Sequence, residues 1–179
     1  MLLLQISGEV TLKNAEPKHM EETINKLKEC GCIIELTSDT IYLKAPDKLK
    51  SVNIETEPYP GFPTDMQSIF VATLIKGDGT SCMKENIFEN RYKYVPELKK
   101  MGVNIIQEDR KVRITGEKTI KATNLEAMDL RGGAALVIAA LQAEGKTEIS
   151  NIEYILRGYE ELDKKLEKLG AKIKIEEGE

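Results

Sequence analysis

Histidine occurs once in this sequence, at His19, and cysteine three times, at Cys30, Cys32 and Cys82. That supply forms neither a zinc set nor an even disulfide framework, so no metal or metal cofactor is expected. Long apolar runs are missing too: nothing approaches the roughly 20 residues that span a bilayer. Met1-Leu-Leu-Leu lacks the basic flank and cleavage site of a signal peptide. The expectation is a cytoplasmic chain with no membrane association. Positive charge is also short, since 26 Lys and Arg against 30 Asp and Glu leave a net charge of −4. Proteins that track phosphate backbones carry a clustered basic excess, which argues against a nucleic-acid partner here. An anionic ligand must then be met by a local cluster.

What remains is an ordinary composition, 31% charged and 41% hydrophobic over 179 residues, enough for one domain with a sizeable core. Its organisation is a threefold repeat. Leu27-Lys-Glu-Cys-Gly31, Leu98-Lys-Lys-Met-Gly102 and Leu166-Glu-Lys-Leu-Gly170 each read as a helix stopped by a left-handed glycine. An alternating strand pattern follows each: Ile33 to Leu36, Val103 to Ile106 and Ala171 to Ile175. In the first two copies a polar turn leads to a second strand, Thr40 to Lys44 and Lys111 to Thr115, making hairpins. Upstream lies a glycine-headed strand ending on asparagine, from Gly8 to Asn14, Gly79 to Asn86 and Gly145 to Asn151. Apolar helices, Asp65 to Lys76 and Asp129 to Ala143, precede the second and third of these strands.

The unit is βαβαββ with a period near 70 residues, which divides the chain at about residues 1–50, 51–118 and 119–179. Cys30 and Cys32 occupy positions held by Met101, Leu169, Val103 and Ala171 in the other copies, and are read as core thiols, with Cys82 a strand position of the same sort. Aligning Gly8 with Gly145 places Met1 inside the apolar helix of copy one, so that copy is truncated and the chain is expected to be a piece of something longer.

Chemistry is expected where one copy carries polar groups that the repeat does not need. Pro58-Tyr-Pro-Gly-Phe-Pro-Thr-Asp-Met-Gln67 is a rigid, extended approach to a helix whose Thr64 and Gln67 have capping-box spacing, which holds Asp65 in the first turn. Arg131, Gly132 and Gly133 open the third-copy helix. They read either as an anion site with open amides or as small residues that let two helices pack closely. Arg91 and Arg157 are placed at the starts of second helices, where a cation opposes the helix dipole and suggests an anionic partner.

The runs Pro60-Gly-Phe-Pro-Thr-Asp-Met-Gln67, Phe88-Glu-Asn-Arg91, Val95-Pro-Glu-Leu98, Asp129-Leu-Arg131 and Arg157-Gly-Tyr-Glu160 closely resemble the enolpyruvyl transferases, and among them the UDP-N-acetylglucosamine 1-carboxyvinyltransferases of peptidoglycan synthesis. The resemblance runs along essentially the whole chain. It implies an α/β inside-out barrel, with helices within and sheets without, in an enzyme of two such domains. Substrates, UDP-N-acetylglucosamine and phosphoenolpyruvate, would lie in the cleft between them. This chain would be most of the C-terminal domain, partnered by the missing N-terminal one.

By the same resemblance Asp65 contacts the sugar nucleotide and is the candidate base for its 3-hydroxyl. The backbone at Ile87 helps hold the UDP-sugar, and Arg91, Arg131 and Arg157 line the phosphoenolpyruvate side. The protonating residue of the family belongs to the other domain, and no cysteine here matches it. A second reading, a stand-alone repeat module that senses an anion through the arginine floor, competes with the enzyme fragment.

Overall fold

The computed structural model describes residues 8–176. The first copy comprises β1 (Glu9–Lys13), α1 (Glu21–Glu29), β2 (Ile33–Leu36) and β3 (Thr40–Lys44), its strands forming one antiparallel sheet in the order β1-β3-β2 with a single helix. The second copy is complete: β4 (Asn53–Glu55), α2 (Gln67–Thr73), β5 (Thr80–Lys84), α3 (Val95–Lys100), β6 (Asn104–Glu108) and β7 (Lys111–Thr115). Its sheet has the order β4-β5-β7-β6, with β4 and β5 parallel across α2 and the rest antiparallel. The third copy supplies β8 (Asn124–Glu126), α4 (Leu130–Ala140), β9 (Glu148–Ser150), α5 (Glu153–Leu156) and α6 (Leu162–Lys168), with β8 and β9 again parallel.

The repeat is kept down to single hydrogen bonds. Gly31, Gly102 and Gly170 have φ of +94°, +83° and +92°, the left-handed conformation that glycine adopts without a Cβ penalty. Each is followed by the same 6→1 bond, from the amides of Cys32, Val103 and Ala171 to the carbonyls of Leu27, Leu98 and Leu166. These are three Schellman endings. Successive copies are stitched alike, since the amides of Lys50 and Lys121 donate to the carbonyls of Cys30 and Met101, both at 2.9 Å.

Helices α2 and α4 pack against each other at the centre, as expected for runs that are apolar all round. Phe70, Val71 and Ala72 on one and Ala135, Leu136 and Ala139 on the other are buried, as is Ile75 in the 3-10 turn that follows α2. The sheets lie outside, so one face of each hairpin points inward through Ile41, Leu43, Ile105, Val112 and Ile114 while Ile33 and Ile106 face solvent. Cys30 and Cys32 are buried core thiols, and Cys82 is partly buried on β5.

Four local expectations are corrected. Thr64 and Gln67 form no capping box: a 3-10 turn, Thr64–Met66, precedes α2, and the Thr64 hydroxyl is drawn instead to Glu85. Residues 58–61 are not an extended approach but a closed turn, with Gly61 N donating to Pro58 O and Glu57 N to Phe62 O. Residues 171–176 form no strand, having no hairpin partner among the described residues. The asparagine that ends the second-copy strand is displaced by one: Lys84 pairs with Lys111 as Lys13 pairs with Thr40, so Glu85, not Asn86, corresponds to Asn14 and Asn151. The expected partial helix over Met1 to Ser7 lies outside the described residues.

Candidate active site

Asp65 sits in the 3-10 turn at the head of α2, and Arg131 in the first turn of α4. Because the two helices are packed side by side, their N-termini bring these residues face to face. The Arg131 guanidinium grips the carboxylate as a fork, Nε donating to Oδ1 at 2.9 Å and Nη2 to Oδ2 at 2.7 Å. Two parallel charge-assisted bonds fix orientation as well as distance. Arg91 Nη2 adds a third, longer bond to Oδ1 at 3.3 Å, with its guanidinium carbon 4.4 Å from the centre of the Phe88 ring. The Arg131 fork, and less strongly Arg91, holds the Asp65 carboxyl below its ordinary range, while Arg131 is held above its own.

The Asp65 side chain remains 54% exposed, at the edge of an open cavity of about 640 Å³ lined by Ile87, Phe88, Arg91, Lys93, Arg110, Asp129 and Arg131 among others. Four cations on that wall make a concave surface suited to phosphate or carboxylate groups. Arg110 is partly neutralised by Glu89 at 3.0 Å.

The structure thus brings Asp65, Ile87, Arg91 and Arg131 together. Arg157 is not part of that cavity wall; its guanidinium lies 5.6 Å from the Tyr154 ring centre. It does not begin a helix. It is the C-cap of the short α5, where a cation is favoured by the dipole, so the argument from an unfavourable helix start does not hold for it. Arg91 likewise lies four residues ahead of α3, in the loop, not in the helix.

The two readings of Gly132 and Gly133 are decided by packing. The Asp129 carboxylate caps α4 by accepting from Gly132 N at 2.7 Å, and Gly133 N donates to the Asp129 carbonyl at 2.8 Å, so neither amide is open. A Cβ on Gly133 would stand 2.6 Å from Ile155 Cγ1, and one on Gly132 3.3 Å from Tyr94 Cβ. The glycines allow close approach.

Sequence reasoning missed Glu85. It is fully buried and accepts from Thr56 Oγ1, Ile87 N and Phe88 N on one oxygen and from Thr64 Oγ1 on the other. Its signal was the single copy in which glutamate replaces the repeat's asparagine.

The family model described as EPSP synthase (3-phosphoshikimate 1-carboxyvinyltransferase) matches residues 4–166. The chain belongs to the EPSP synthase family. Within this family it is 48% identical to a UDP-N-acetylglucosamine 1-carboxyvinyltransferase of Desulfofundulus thermocisternus, over 93% of this chain and 68% of that protein. It is 49% identical to UDP-N-acetylglucosamine 1-carboxyvinyltransferase 3 of Caldanaerobacter subterraneus subsp. tengcongensis, over 93% of this chain but 40% of the relative. Among solved structures, the enolpyruvyl transferase NikO from Streptomyces tendae superposes with a TM-score of 0.85 at 24% identity, covering 97% of this chain and 42% of that one. The fold is therefore that of the enolpyruvyl transferases. The chain spans about two fifths of the length of most of the curated relatives it matches. No helix among the described residues is long and apolar enough to cross a membrane.

Proposed function

We propose that this chain is one wall of a UDP-N-acetylglucosamine 1-carboxyvinyltransferase, which moves the enolpyruvyl group of phosphoenolpyruvate to the sugar 3-hydroxyl and releases phosphate. Residues 1–179 would make up most of its C-terminal domain, acting in the cytoplasm at the first committed step of peptidoglycan synthesis. The observation that carries this reading is the carboxylate of Asp65 held by Arg131 and Arg91 at the rim of a cationic cavity. Addition of a hydroxyl to an enol ether needs a proton acceptor beside it and fixed positive charge around carboxylate and phosphate. Asp65 is the candidate acceptor; Arg91, Arg131 and, from the adjacent α5, Arg157 would meet the anions, and the Ile87 backbone the nucleotide sugar.

While forked by Arg131, Asp65 is a weak base. An entering anion that takes Arg131 would raise its proton affinity as the substrate hydroxyl arrives, so binding and activation of the base are linked in this reading.

Catalysis of this kind relies on charge preorganised around the reacting atoms, and loss of one such donor costs on the order of a hundredfold or more. The isolated chain should therefore be inactive. The test measures phosphate release from phosphoenolpyruvate with UDP-N-acetylglucosamine, by the chain alone and mixed with the N-terminal part of a relative. Turnover only on mixing, abolished by Asp65→Ala, is the expected result. Turnover by the chain alone that disappears on Asp65→Ala would place the active site elsewhere than in a two-walled cleft. The absence of turnover from a mixture that forms a complex would favour the anion-sensing module.

A further inference from the structure

We propose that Glu85 is a positioning residue that holds the two arms of the Asp65 site in one frame. This rests on the active-site reading above and adds a residue to it. In copies one and three the corresponding position is an asparagine with φ of +56°, and Asn151 donates to the end of the neighbouring strand β8, to Glu126 Oε1 and the Ala127 carbonyl just past it. Only the copy that carries Asp65 and Arg91 has an acid there, and it is wholly buried.

A buried carboxylate is costly unless its lone pairs are met, and it offers about four acceptor positions. Glu85 fills them from two directions. Oε1 takes the amides of Ile87 and Phe88 at 2.9 and 3.1 Å and the Thr56 hydroxyl at 2.9 Å. Those amides open the loop that carries Phe88 under Arg91. Oε2 takes the Thr64 hydroxyl at 2.9 Å, immediately before Asp65. One planar group therefore sets the spacing between the Ile87 backbone and the Asp65 turn. Neither segment has this restraint from helix or sheet, since the first is loop and the second a single 3-10 turn.

The role is to position, because Glu85 has no exposed atom to offer a ligand; it acts through Ile87, Arg91 and Asp65. A purely structural acid would alter stability without altering the titration of Asp65. The test uses the isotope-labelled chain, following the Asp65 carboxyl carbon against pH and the exchange of the Ile87 and Phe88 amides. In Glu85→Leu the Asp65 midpoint should rise toward its ordinary 3.8 and the two amides should exchange at least tenfold faster. Glu85→Gln keeps the oxygen that Ile87 and Phe88 use and can donate to Thr64, so it should restore the slow exchange and most of the Asp65 shift.

Should Glu85→Leu not fold, Thr64→Val isolates one arm: the Asp65 midpoint should rise while both amides stay slow. An Asp65 midpoint that is unchanged in Thr64→Val and in every folded Glu85 variant overturns the proposal. Neither measurement involves turnover, so a missing transfer activity would defeat the functional reading alone, and an unmoved midpoint in an active protein would defeat this one alone.

Discussion

The hydroxyl of Ser68 donates to the main-chain carbonyl of Arg131 at 2.9 Å, tying the first turn of α2 to the first turn of α4. Asp65 lies one turn before Ser68, so this bond between backbone frames sets the stage on which the carboxylate and guanidinium meet. Ser68→Ala should lower stability by about 1 kcal/mol, the usual net worth of one such bond. Urea unfolding checks the magnitude. The Arg131 Nε proton, observed by NMR, should broaden as the fork loosens.

The glycine at 133 is a packing requirement. Gly133→Ala places a methyl 2.6 Å from Ile155 Cγ1 and 3.2 Å from Ala127 Cβ, in a crowded contact between α4 and α5. Overpacking of this kind costs about 1–3 kcal/mol. Thermal unfolding should show the loss. In an Ile155→Ala background Gly133→Ala should cost less than in the parent, because alanine removes both Cγ1 and Cδ1, which would stand 2.6 and 3.2 Å from the new methyl.

Thiol chemistry should separate the three cysteines. Burial pushes Cys30 up to about 12 and Cys32 up to about 11, so neither presents a thiolate near neutral pH. Cys82 is only partly buried. A chromogenic disulfide reagent at pH 8 should titrate one thiol in the native chain and all three in denaturant. Rapid reaction of two or three thiols without denaturant would contradict the buried placement of the Cys30-Gly-Cys32 pair.

Asp65 links the site to pH. Its folded carboxyl titrates below the ordinary 3.8, chiefly through Arg131, so its contribution is present above that value and is lost as pH falls through the folded one. The side chain is more than half exposed, and solvent screening limits the effect to about 1 kcal/mol or less. Asp65→Asn should therefore be slightly less stable than the parent at pH 7, and the difference should shrink as pH is lowered toward 2. Urea midpoints at the two pH values test both sign and size.

The repeat could be read from the sequence because its signals are local: a glycine after each helix, period-2 strands, and helices apolar on every face. Asp65 and Arg131 could be singled out because polar groups at helix starts interrupt that periodicity; Arg91 was singled out by the same argument although it lies in the loop ahead of α3. Several of the errors originate in partners that are distant in sequence. The choice between open amides and close packing at Gly132 and Gly133 stayed undecided until Asp129 and Ile155 were seen to occupy the space around them. Thr64 matched a capping box by spacing, yet its hydroxyl was claimed by Glu85, just past the end of β5. Arg157 was assigned to a helix start because a four-residue helix leaves almost no periodic trace. Glu85 was passed over within Lys84-Glu85-Asn86, a run that reads as solvated when it is seen without the two threonines that surround it in space.

The fork between Arg131 and Asp65 also makes the protein its own competitor for anions. The carboxylate is tethered beside the guanidinium, and a tethered group acts at an effective concentration that reaches the millimolar range for short flexible linkers. A rigid helix head that already points at its partner is better placed still. Simple monovalent ions at cellular concentrations must outbid that internal occupant and gain little by doing so. A ligand bearing two or more negative charges can engage Arg91 and Arg131 together and leave the carboxylate without a partner. In the proposed enzyme such an arrangement would select ligands by valence before any contact with their carbon framework, and would keep the two arginines from binding chloride or acetate.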